Sequence, residues 1–80
     1  MDPSGLEAAH VRILGTRAGK FIEFEFSLGD GLLAIELILP PAAFEDFCRA
    51  RGADVLPPDP ATAETIERLA WRAGHPGLLQ

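Results

Sequence analysis

Residues 20–48 read KFIEFEFSLGDGLLAIELILPPAAFEDFC, and this stretch decides the fold. From Lys20 to Leu28 the alternation is strict. Ile22, Phe24, Phe26 and Leu28 face one way and Glu23, Glu25 and Ser27 the other, the two-residue period of a half-buried strand. Gly29-Asp30-Gly31 supplies residues that tolerate positive φ, and Leu33, Ile35, Leu37 and Leu39 then line one face with Glu36 on the opposite one, so an antiparallel strand returns. Pro40-Pro41 cannot donate ladder hydrogen bonds and ends that strand. A proline in the first helical turn costs little, because its missing N–H would be unpaired anyway. A helix starts there: Phe44, Phe47, Cys48 and Arg51 fall at i, i+3, i+4 and i+7, and Glu45 and Asp46 are expected near its positive end.

Upstream, His10-Val11-Arg12-Ile13-Leu14 alternates and makes a first strand, and Gly15 and Gly19 bracket a hairpin loop of Thr16, Arg17 and Ala18. Residues 1–8, with Pro3, Gly5 and no sustained period, are expected to form a flexible tail. Downstream, Arg49, Arg51 and Gly52 suit a helix end, and residues 53–56 make a short extended piece before Pro57-Pro58. Asp59 and Pro60 read as N-cap and first helical residue. Ala63, Ile66, Leu69, Ala70 and Ala73 form an apolar stripe that stops at Gly74. Because the stripe is rich in alanine, the helix over 61–73 is expected to dock loosely or to order only on binding, and residues 75–80 to fray. The expectation is one α+β domain over residues 9–74: a three-stranded antiparallel β-meander with one or two C-terminal helices on one face. Its core is placed on Phe24, Phe26, Phe44 and Phe47.

Eighty residues bury only about 60–65% of their unfolded surface, so stability is modest. The formal charge of -5 opposes the counterion-release attraction that drives nucleic-acid binding, and it disfavours anionic membranes equally. The single cysteine, Cys48, excludes an internal disulfide and fits a reducing cytosol. No basic segment followed by a long apolar run marks export. The longest mostly apolar run, residues 32–39, falls far short of the roughly 20 residues of a membrane span. A soluble cytoplasmic protein is expected.

No phosphate-binding glycine loop, internal repeat or low-complexity segment is present. Glu7-x-x-His10 matches the spacing of a di-iron carboxylate motif, but such a site needs two of these pairs and two further glutamates on four helices. Glu23, Glu25 and Glu36 should share the polar face of the sheet, where three carboxylates can contact a partner, hold a hard cation or act as acid and base. Arg12 and Lys20 within reach favour a solvated, partly paired face. Glu36 stands out because it interrupts an apolar strand. Cys48 packs as a small hydrophobe on the helix stripe, and His10 and His75 read as surface residues. Trp71 lies off the alanine stripe, and it either closes the bottom of a small core or stands as an exposed anchor for a partner. No catalytic, cofactor or metal set emerges.

The run Gly19-Lys20-Phe21-Ile22-Glu23-Phe24-Glu25-Phe26, then Gly29-Asp30, then Ile35-Glu36-Leu37-Ile38-Leu39-Pro40, then Ala43-Phe44 and Phe47-Cys48, resembles the small assembly subunit of bacterial multicomponent phenol hydroxylases. The likeness covers about half the chain, roughly residues 11–51. Gly31 stands where the pattern has proline, and everything after about Ala53, Trp71 included, lies outside it. The resemblance implies a non-catalytic protein that binds the hydroxylase component of a di-iron monooxygenase and promotes its iron-loaded form, inhibiting turnover if retained. The alternative it leaves open is an effector that docks on the assembled enzyme and tunes turnover. Contact residues would be Glu23, Glu25, Glu36 and Trp71. An exposed edge strand would pair with a partner strand or with a second copy of the chain.

Overall fold

In the computed structural model, residues 8–29 and 33–79 are described. Six elements follow one another: β1 (Ala9–Arg17), β2 (Phe21–Leu28), β3 (Leu33–Leu39), α1 (Pro41–Arg51), β4 (Asp54–Leu56) and α2 (Pro60–Arg72). The class is α+β, as the residue pattern predicts, with both helices on one face. The sheet differs from the expected meander. It has four strands in the order β3-β2-β1-β4, and β4 runs parallel to β1. The extended piece expected at 53–56 is therefore a strand. Gly52 takes a left-handed conformation at φ 56°, and the Ala53 N–H donates to the Cys48 carbonyl at 3.0 Å. This closes α1 and sends the chain back beside β1, and Pro57-Pro58 ends the new strand for want of donors.

The hairpin between β1 and β2 also turns later than expected. Instead of giving way to a loop of Thr16, Arg17 and Ala18, the strand continues to Arg17. Ala18 (φ 57°) and Gly19 (φ 63°) are the central residues of a β-turn within the three-residue connection 18–20, with the Lys20 N–H donating to the Arg17 carbonyl at 3.1 Å. Positive φ at both central residues is the type I′ geometry that matches strand twist. The ladder pairs Ile13 with Phe24 but Gly15 with Glu23, so Leu14 is an extra bulged residue. Its effect is on parity. Val11 and Ile13 point into the core before the bulge, whereas Arg17 after it turns onto the opposite face. The Gly29-Asp30-Gly31 turn falls partly, and the tail over 1–8 almost wholly, outside the described residues.

The core joins the sheet to both helices. Val11, Ile13, Ile22, Phe24, Phe44, Ile66 and Leu69 are buried together. Of the four phenylalanines expected there, Phe24 and Phe44 are buried, while Phe26 and Phe47 pack half-buried against them. The rings meet edge to face, Phe24 with Phe44 at 4.9 Å, Phe24 with Phe47 at 5.4 Å and Phe26 with Phe47 at 5.1 Å between centroids, the arrangement favoured by ring quadrupoles.

Helix α2 does not dock loosely. Ile66, Leu69 and Ala70 are buried, and Ile66 and Leu69 join the core cluster of the sheet and α1. The Asp59 side chain accepts from the Thr62 N–H at 2.7 Å, capping the helix as predicted. In α1 the acidic residues lie beyond the first turn; Glu45 and Asp46 pair instead with Arg49 at 3.4 and 3.8 Å. Where a frayed end is expected, the His75 N–H donates to the Ala70 carbonyl at 2.8 Å and Leu78 and Leu79 lie against the core.

Candidate interaction surfaces

The strand alternation that buries Phe24 must send Glu23 and Glu25 to the uncovered face, and the register then settles their neighbours. Arg12, Glu25 and Glu36 form one row across β1, β2 and β3. Arg12 reaches Glu25 at 3.2 Å. Glu23 lies opposite Ile38 and is held by Arg17 at 2.9 Å, not by Lys20, because the bulge has turned Arg17 onto this face. Glu36 takes part in no ion pair among the described residues. Two carboxylates, Glu25 and Glu36, thus face each other, and the one cation of the row, Arg12, lies on the far side of Glu25. These pairs are exposed, so their energetic weight is small, about 0–1 kcal/mol each.

The other face of β3, lined by Leu33, Ile35, Leu37 and Leu39, is covered over only half its length. Leu37 and Leu39 pack against the buried cluster, but Leu33 is 76% and Ile35 55% exposed, and Leu28 opposite Leu33 is also exposed. The cause is length. Helix α1 has 11 residues and spans about 16 Å, whereas the seven residues of β3 span roughly 23 Å. Phe47 is the last ring to cover the sheet, over Phe26, so the Leu28–Leu33 pair lies beyond it. The signal in the sequence was the immediate start of the helix at Pro41, which ties it to one end of β3.

Trp71 is 70% exposed, so it does not close the core. It lies with Glu64, Glu67, Arg68, Pro76 and Gly77 around an open groove of about 380 Å³. Because α2 covers the opposite face of the sheet from the carboxylates, the structure does not bring Trp71 together with Glu23, Glu25 and Glu36. A second hollow, about 360 Å³, is lined by Val55, Pro57, Pro58, Ala63, Leu78 and Leu79. It holds no titratable group. Burial pushes the Cys48 thiol above its ordinary value, and nearby Arg51 only partly offsets this, so the thiol stays protonated and weakly nucleophilic. His10 lies in β1, not on a helix, and Glu7 is outside the described residues. Among the described residues no group of three His, Cys, Asp or Glu side chains is placed to hold a metal ion, and no helix is long and apolar enough to cross a membrane.

Fold and surfaces together define a small α+β protein whose distinctive side chains, Glu36, Ile35 and Trp71, all face outward. The chain belongs to the phenol hydroxylase subunit family, whose pattern matches residues 3–57. It is 32% identical over 68 residues, 85% of its own length and 74% of the relative's, to the auxiliary component DmpK of phenol 2-monooxygenase from Pseudomonas sp. (strain CF600). No solved structure matches it.

Proposed function

We propose that this protein is a non-catalytic assembly factor for a phenol monooxygenase, acting in the cytoplasm. It binds the hydroxylase component, favours the conformation that accepts iron and so promotes the active di-iron form. Retained after loading, it inhibits. The observation that carries the reading is the 32% identity to an auxiliary component of phenol 2-monooxygenase across most of both chains. The surface supports it: an exposed carboxylate row, an uncovered apolar strand and an exposed tryptophan suit contact with another protein. A binder changes a partner's state only through unequal affinity for its two forms, so the protein must hold the iron-free hydroxylase more tightly than the loaded one.

Reconstitution tests this. Iron-free hydroxylase supplied with iron should reach full activity only when this chain is present, and stoichiometric addition to the loaded enzyme should leave turnover unchanged or lower it. Equal iron uptake with and without the chain sinks the assembly reading. A rise in turnover on titrating the loaded enzyme would identify it instead as an effector.

A further inference from the structure

Three features meet at the outer edge of β3. It is the end strand of the sheet, so among the described residues its outward N–H and C=O groups have no ladder partner. Leu33 and Ile35 stand exposed on the helix side. On the other side Glu36, the single charged residue of β3, lies opposite Glu25, whose carboxylate is already engaged by Arg12.

We infer that this edge accepts an extended segment of a partner protein as a fifth strand, with a Lys or Arg of that segment opposite Glu36 and apolar side chains over Leu33 and Ile35. Charge decides the occupant. If a second copy paired antiparallel over the full length of β3, Glu36 would meet Glu36 of that copy. The row across the joined sheet would then place four carboxylates side by side, Glu25 and Glu36 from each copy, and directly opposed like charges destabilise a sheet. A basic residue completes the row instead: Arg12, Glu25, Glu36, then the partner's cation. The single carboxylate thus blocks self-pairing of an otherwise apolar edge and selects a basic partner. That the segment belongs to the hydroxylase rests on the function proposed above; the edge and its charge preference do not.

Two measurements on the full chain separate these claims. In the first, the backbone amides are followed by NMR while acetylated Thr-Val-Thr-Val-Lys-Val-Thr-Val-Thr or its Glu-for-Lys counterpart is added. The lysine peptide should shift the β3 amides and bind about tenfold more tightly than the glutamate peptide, and Glu36→Lys should reverse that order. Shifts elsewhere than β3, a preference untouched by Glu36→Lys, or concentration-dependent dimerisation through β3 in sedimentation would each overturn the proposal. In the second, hydroxylase binding is compared for the wild type, Glu36→Gln, Glu36→Lys and Leu33→Lys/Ile35→Lys, with circular dichroism confirming the fold. Affinity should fall in that order, by about tenfold or more for the last two. Unchanged affinity in all variants overturns the edge as docking site and leaves the proposed function standing. A wild type that ignores the hydroxylase yet binds the lysine peptide at β3 overturns the function and leaves the edge standing.

Discussion

Phe24 is fully buried and touches rings from both turns of α1 that face the sheet. Truncating such a ring to alanine costs about 3–5 kcal/mol, a large share of what a domain this small commands. Phe24→Ala should therefore be mostly unfolded by circular dichroism at 25 °C, while Phe47→Ala, at the half-exposed end of the ring stack, should melt lower yet still fold. The turn offers the reverse experiment. Ala18 is exposed and sits at φ 57° without the freedom of glycine, and an L-residue held left-handed costs roughly 1–2 kcal/mol unless its side chain bonds locally. Ala18→Asn should raise the melting temperature by roughly 4–8 °C for each kcal/mol relieved. An unchanged midpoint would show that the turn already relaxes its strain. At Glu36 stability and binding pull apart: Glu36→Thr removes a carboxylate facing Glu25 and adds a β-branched residue, so it should gain about 0.5 kcal/mol in denaturant unfolding while weakening partner binding.

Among the elements, α2 shows why propensity reading undervalues a helix. Its alanine-rich stripe looked weak, yet its two large apolar residues, Ile66 and Leu69, are both buried and complete the core. Its start depends on Asp59. The Thr62 N–H, and then the Thr62 side chain, hold that carboxyl below its ordinary value of 3.8. A carboxyl lowered in the folded state contributes stability that is present in full above its unfolded value and lost as pH falls through the lowered one. Asp59→Ala should consequently melt a few degrees below the wild type at pH 7, and the gap should narrow below about pH 4. Asp59→Asn, which caps without titrating, should show no such narrowing. A gap independent of pH would place the loss in helix propensity and not in the carboxylate. Strand β4 was legible only as an extended piece, since three residues carry no period and nothing local specifies a parallel partner. The bulge at Leu14 was hidden for a related reason: Gly15 signalled a turn, and only pairing with β2 reveals that the strand continues.

At the scale of the whole molecule, what was legible is what repeats. The alternation of β2, the proline start of α1 and the capped start of α2 placed the layers, the carboxylate face and the family likeness. What depended on reach was not legible: where α1 stops covering β3, which cation meets Glu23, and how the chain after α2 folds back onto the core. The candidate surface is therefore half sequence and half geometry, with Glu36 visible in advance and the exposure of Leu33 and Ile35 not. Small size gives the proposed function a thermodynamic signature. A domain of modest stability gains RT ln(1 + [L]/Kd) from any partner that binds only its folded form, about 2.7 kcal/mol at a hundredfold excess over Kd. If the chain prefers the iron-free hydroxylase, hydrogen exchange at its slowest core amides, such as those of Val11 and Phe24, should slow by about a hundredfold beside excess iron-free hydroxylase. Beside the loaded enzyme the slowing should be smaller, in the ratio of the two affinities. Equal protection by both forms would mean that binding carries no preference between them, and without that preference the protein has no free energy with which to drive metal loading.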